Sequence, residues 1–369
     1  MHKDSIRERF IGLDRINHLA ACSKSPMLKT VKNALEDYIN DVINLGNPWD
    51  LWTDKVNYAR RLFAKIINAD PGDVAVLYSV SSALNAIMSS FNFKNNNIVT
   101  SDLEFPTTNF ILQAYKKYGI KIKTIKNDNG IIKSSNYNEY IDENTIMVTA
   151  VHVSSLNGFK QDIDEISKMA HEHGSYIYVD DYQSLGSLKI DVKKSKIDFL
   201  ASGTLKWLLG VSGIAFLYVN PEIVNDLRPA NIGWFSQKYP FQFGSESINY
   251  AHGAGRFENG TWSIPSVYAA IGGMECILDY NDIEGENKRL FSYTLDELDK
   301  NNIKTLTPEQ SANIVAIPLK NPQEAESILK RKYNIITSAR SNSLRISPHF
   351  YNTFEEIEAA VKIIKNEFL

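Results

Sequence analysis

The amino-acid sequence predicts an α/β fold: a mostly parallel, seven-stranded sheet flanked by helices, then a smaller C-terminal α+β unit. Three observations carry that expectation. Short β-branched and aromatic runs alternate with amphipathic segments of helical period through the first two-thirds of the chain, a succession that covers both faces of a parallel sheet. The chain has 369 residues, more than one compact core usually serves, so two domains are expected. Past Pro265 the order changes to helix, short strands and a terminal helix. The division expected is a large domain over 15–262 and a small one over 263–369 that also takes in 1–14.

Ser25 and Pro26 read as the cap of a helix reaching about Asn40, and Asn47-Pro48 precedes a second through about Asn68. Strands follow at Val74–Tyr78, Ile98–Ser101, Ile120–Ile125, Ile146–Val151, Tyr176–Val179, Phe199–Ala201 and Ile214–Val219. Between Lys116 and Lys126 the isoleucines alternate with lysines, the pattern of a strand with one wet face near a sheet edge. Helix Ile163–Glu172 places Ile163, Ile166, Met169 and Ala170 on one face. After Pro265 one long helix leads to strands at Ile303–Thr307, Ile314–Pro318 and Ser343–Ile346, and a helix ends the chain.

Composition narrows the class. Apolar residues make up 43% and charged ones 22%, ordinary for a globular enzyme, and a net charge of −3 gives no reason to expect nucleic acid. The N-terminus is charged and lacks an apolar signal region, and no apolar run approaches membrane-spanning length. Cys22 and Cys276 have no metal-ligand spacing and suit a reducing cytoplasm. The expectation is a cytoplasmic protein without metal, membrane or nucleic-acid partner.

Two stretches carry the chemistry. YIYVDDYQSLG (Tyr176–Gly186) ends a buried strand on Asp180 and Asp181, and DFLASGTLKWLLGVSG (Asp198–Gly213) runs from a second strand to Lys206. Open α/β sheets place ligands at the carboxyl ends of their strands. Alone, a strand-end aspartate reads as a helix cap and a lysine as a solvated surface residue. A lysine set among Leu205, Trp207, Leu208 and Leu209 is different, because apolar surroundings favour its free amine. Carboxylate and embedded lysine together are what pyridoxal phosphate (PLP) chemistry uses: the amine forms a Schiff base and the carboxylate keeps the pyridine nitrogen protonated. Upstream, the strand at Val74 feeds the serine turn YSVSSALN (Tyr78–Asn85) and a helix start, which reads either as N-capping by Ser81 or Ser82 or as an anion site.

VDDYQSLG…DFLASGTLKWLLG resembles the signature of the class V aminotransferase family, fold type I PLP enzymes that include cysteine desulfurases, kynureninases and isopenicillin N epimerase-like proteins. The resemblance runs through nearly the whole chain, by way of SDLEFPTTNF (Ser101–Phe110), VHVSSLNG (Val151–Gly158), RFENGTWSIP (Arg256–Pro265) and SLRISPHFYNTFEEI (Ser343–Ile357). It implies Lys206 as the Schiff-base lysine and Asp180 as the partner of the pyridine nitrogen, with Asp181 a cap or supporting group. It further implies Ser81, Ser82, Ser202 and Thr204 around the cofactor, with the first two on the phosphate, and Phe105 stacked on the ring. Gln183 would bond the phenolic oxygen. Ser155 stands where the family has asparagine, and Gln183 or Asn157 would supply the lost bond. Arg345 would grip the substrate carboxylate. Thr261 would reach the cofactor phosphate of a neighbouring subunit, which implies a homodimer with shared active sites.

The activity so implied is conversion of an amino acid through a Lys206 imine, first of all transamination. A C–S or C–Se lyase acting on cysteine or selenocysteine, or an epimerase, is the alternative, and a non-catalytic PLP-binding protein a third. Desulfurases need a thiol shortly before the arginine segment, and Tyr333–Asn342 contains no cysteine. Cys22 is the only thiol that runs close to the site in the family pattern.

Overall fold

The computed structural model describes residues 6–243 and 246–369. Seven strands form the main sheet: β1 (Val74–Leu77), β2 (Asn97–Ser101), β3 (Lys121–Ile125), β4 (Thr145–Val151), β5 (Tyr176–Asp180), β6 (Phe199–Gly203) and β7 (Ala215–Val219). Their order is β1-β7-β6-β5-β4-β2-β3. Strands β6 through β3 run parallel, and β7 lies antiparallel to both β1 and β6. The lysine-striped segment is β3, at the sheet edge as its alternation predicts.

Successive side chains of a strand point to opposite faces, and here both faces are dry. Val74, Val76, Ile177, Val179, Leu200 and Phe216 enter one core. Their neighbours Ala75, Leu77, Tyr178, Phe199, Ala201 and Leu217 enter another, with Leu84, Ile87, Ile111 and Leu112. Those last four belong to α3 (Val80–Met88) and α4 (Pro106–Tyr115), while α1 (Lys29–Leu45), α2 (Trp49–Ile67), Tyr137 of α5 (Ser134–Tyr140) and part of α6 (Ile163–Glu172) cover the first face. Continuous apolar strands follow from burial on both sides.

Three boundaries differ from expectation. The first helix starts at Lys29 and runs to Leu45. Ser25 does not cap it, because its hydroxyl donates to the Lys206 carbonyl at 2.5 Å. The helix after Pro265 is two, α7 (Ile264–Asp279) and α8 (Ile283–Lys300). The break falls where Asp282 accepts the Gly285 N–H at 3.0 Å, a cap that begins a new helix. Ile303–Thr307 forms no strand, and Leu306 donates to the Ala316 carbonyl at 2.8 Å.

The C-terminal sheet has the order β8 (Val315–Pro318), β10 (Ser343–Ile346), β9 (Ser338–Arg340), all antiparallel. Its core joins Val315, Ile317, Leu344 and Ile346 to Leu329 of α9 (Pro322–Tyr333), to Ile357 and Val361 of α10 (Phe354–Phe368), and to Leu19. The N-terminal segment is tied to it: Asn17–His18 pairs with Ile335–Ile336. Arg7 also grips Glu356 with two nitrogens, at 2.9 and 3.0 Å. No described helix is long and apolar enough to cross a membrane.

Candidate active site

The carboxyl ends of β1, β5 and β6 meet the start of antiparallel β7 at one end of the strands. There a cavity of about 200 Å³ is lined by Tyr78, Ser81, Phe105, Asp180, Tyr182, Gly203, Ser212 and Gly213, among others. Asp180, the last residue of β5, is buried. Its Oδ1 accepts the Tyr182 N–H at 3.0 Å, and Oδ2 has no hydrogen-bond partner among the described residues. Burial pushes its carboxyl up to about 6, against the pull of that N–H and of Lys206.

Lys206 follows β6 on a loop whose backbone is held at several points. Thr204 accepts the Gly210 N–H at 2.7 Å, and Leu209 takes a left-handed conformation with φ 63°. Gly186 has φ 98°, and a Cβ there would lie 2.5 Å from the Trp207 carbonyl oxygen, so only glycine lets the two loops touch. The Lys206 Nζ stands 4.4 Å from the centre of the Tyr182 ring and 5.7 Å from that of Phe105. Burial lowers its pKa to about 8. Cys22 and Asp180 oppose that shift, and Arg345 and Arg340 add to it.

Of the serines, Ser81 lines the cavity. Ser82 instead donates to the Ser79 carbonyl at 2.7 Å and accepts the Ser79 N–H at 3.1 Å, completing a capping box. The N-cap of α3 is therefore Ser79, neither Ser81 nor Ser82. The Ser202 hydroxyl is 3.3 Å from the carbonyls of Asp181 and Gly203, and that of Thr204 donates to Val211 at 3.0 Å. Gln183 is buried with its amide nitrogen on the Cys22 carbonyl and its oxygen on the Trp207 indole, each at 3.1 Å. Asn157 donates to the Gly130 carbonyl and accepts the Phe159 N–H. Thr261 is exposed, and its carbonyl accepts the Tyr78 hydroxyl at 3.1 Å.

Arg345 is fully buried. It donates to the Ser155 carbonyl at 2.5 Å and to the Ser338 hydroxyl at 2.6 Å, and no carboxylate pairs with it among the described residues. A buried guanidinium without a counter-ion is costly. Asp181 is tied to His152 Nδ1 at 2.7 Å and to the Ser184 hydroxyl, which matches a supporting group.

Sequence reasoning missed Tyr182, Ser212 and Gly213, since only the antiparallel return of β7 brings the last two to the strand ends. It also missed Glu104. That fully buried side chain accepts the Val151 N–H at 2.8 Å through Oε1, while Oε2 has no partner. Burial and then the Asp180 charge push its carboxyl up to about 8.

Fold and site together define a PLP-dependent enzyme of fold type I. The chain belongs to the class V aminotransferase family, whose model, Aminotransferase class-V, matches residues 20–360. An uncharacterized aminotransferase, YcbU of Bacillus subtilis, is 33% identical over 97% of this chain and 96% of its own. The apo structure of a cysteine desulfurase from Thermococcus onnurineus superposes with a TM-score of 0.89 at 23% identity, covering 98% of this chain and 97% of that one. A mutant of C-DES, solved with glycine covalently linked to its PLP cofactor, gives a TM-score of 0.89 at 18% identity over 98% and 99%. The likeness of these two structures is one of fold.

Proposed function

We propose that this protein transaminates an amino acid with PLP held at Lys206. The observation that carries the reading is a cavity lined by buried Asp180, Phe105 and Tyr182, with the Lys206 Nζ over the last two rings and its pKa lowered to about 8. The residues fit the group: the unpartnered Oδ2 of Asp180 suits a protonated ring nitrogen, and Ser81 stands at the N-terminus of α3, where free N–H groups favour a phosphate. When bound, PLP supplies an electron sink that weakens the bonds to the substrate α-carbon.

The chain's own groups do the rest. With a pKa of about 8, Lys206 presents a sizeable fraction of free amine at neutral pH, so it can attack as a nucleophile and then carry a proton at Nζ. Asp180, ionised against a cation, stabilises charge on the ring nitrogen. Phe105 confines the ring by its π face. Arg345 takes the substrate carboxylate in a planar fork. Ser82, Ser155, Gln183, Ser202 and Thr204 support the cofactor pocket, partly through the backbone contacts described above. Thr261 serves the phosphate of a second subunit, so the working form is a homodimer. That reading rests on the exposure of Thr261 beside cavity-lining Tyr78 and on the family resemblance. The separate apolar cluster of the C-terminal sheet supports a second domain. Phe10, Leu13 and, on α7, Ile264, Val267 and Met274 pack instead in the main-sheet core, which favours a boundary after α7 rather than at residue 262 and leaves the described part of 1–14 out of the small domain. Two free cysteines support a cytoplasmic setting.

A C–S or C–Se lyase is the second reading, favoured by the fold shared with a cysteine desulfurase. Against it stands the absence of cysteine from Tyr333–Asn342. Incubating the purified holoenzyme with a panel of amino acids separates the two. Transamination yields the matching 2-oxo acid, whereas sulfide, pyruvate or alanine from cysteine would displace this reading in favour of the lyase.

A further inference from the structure

A second cavity, of about 500 Å³, is lined by Arg340, Asn127, Asn129, Asn342, Thr305 and Thr307 among others, with no acidic side chain in its wall. Leu103 and Leu156 also line it. Leu103 lies two residues before cavity-lining Phe105, and Leu156 follows the Ser155 whose carbonyl holds Arg345, so the wall of this second cavity is built partly from the same loops as the site.

The register of the C-terminal sheet fixes how its arginines are aimed. Ser338 pairs with Arg345, and Arg340 with Ser343. Directly paired residues share a face, as do residues two apart along a strand. Arg340 and Arg345 therefore rise from the same face, and Arg345 already touches Ser338 there. Arg340 forms no ion pair among the described residues. Both guanidinium groups are near enough to Lys206 to help depress its proton affinity. An exposed arginine is usually just solvated; this one faces a roomy, acid-free cavity beside a second, buried arginine.

We propose that Arg340 binds an anionic group at the far end of the substrate side chain, so that the preferred substrates are amino acids with a second carboxylate. The inference rests on the reading of Arg345 as the α-carboxylate anchor. Two fixed cations on one face suit a ligand with two carboxylates, and the amide and hydroxyl lining suits its polar flank.

The test uses binding as well as turnover. The purified holoenzyme is titrated calorimetrically with glutarate and succinate, and with their monoamides, which lose one charge at the same size. The wild type should bind the dicarboxylates at least tenfold more tightly than the monoamides. Arg340→Ala should bring that ratio towards one, and Arg340→Lys should keep most of it. The ratio of kcat/KM for glutamate over glutamine should follow the same order, the loss residing in KM. A wild type blind to the second charge, or an Arg340→Ala variant with the ratio unchanged, overturns the proposal. Failure of the transaminase reading would show separately, as no 2-oxo acid from any amino acid while dicarboxylate preference persists.

Discussion

A lysine flanked by Leu205 and Trp207 meets conflicting demands, since burial removes the water that would stabilise its charge. The outcome is a pKa of about 8, on an amine that stands over the Tyr182 and Phe105 rings at 4.4 and 5.7 Å. Lys206→Ala should lose the PLP absorbance and all turnover with amino acids while retaining far-UV circular dichroism. A borohydride-reducible adduct at another lysine would refute the assignment. The neighbouring aspartates separate the same way. Asp180 lines the cavity, whereas Asp181 turns to His152. Asp180→Asn should cut kcat by at least roughly a hundredfold, the loss expected when a charge stabiliser at a reacting centre is removed. Asp181→Asn should cost far less, and equal losses would overturn the assignment.

At the scale of elements, the ends of β2, β4 and β5 enclose a group that no mechanism step uses. Glu104 folds into a setting that pushes its carboxyl from the ordinary range up to about 8. Its folded pKa lies above its unfolded one, so between about 4.5 and 8 the native state binds more protons than the unfolded state. Stability from this group is full below the lower value and declines as pH rises through the upper one. Glu104→Gln keeps an acceptor for the Val151 N–H and abolishes the titration. Its unfolding free energy, from denaturant titrations, should fall less steeply than the wild type's from pH 5 to 8, the gap reaching a few kcal/mol, on the order of 1.4 kcal/mol per pKa unit. Parallel curves would mean that Glu104 is ionised in the fold.

For the whole molecule the prediction concerns subunits. Thr261→Ala should weaken PLP retention, because a hydrogen bond to a charged group contributes about 1.5–3 kcal/mol. In dimers mixed from Thr261→Ala and Lys206→Ala subunits, the intact lysine would have the intact threonine of its Lys206→Ala partner beside it, and that site should recover native PLP affinity. A fully active monomer in sedimentation, or mixed dimers with no recovered site, would count against sharing.

The sequence by itself determined the class of fold, the seven strands, the edge position of Lys121–Ile125, the strand-end placement of Asp180 and the burial of Lys206, because strand periodicity and apolar enclosure are local properties. It read Ile303–Thr307 as a strand and the region after Pro265 as one helix, because apolar runs look alike whether or not a partner strand is present or a capping aspartate interrupts them. It could not tell Ser81 from Ser82, since which of two adjacent hydroxyls turns inward depends on the Ser79 capping box. Only the tertiary structure decided that Ser25 supports the lysine loop rather than a helix, that β7 returns antiparallel to bring Ser212 to the site, and that Arg340 and Arg345 share a face. Each of these joins residues far apart in the chain, and no local pattern encodes which distant carbonyl, strand or charge a side chain will meet.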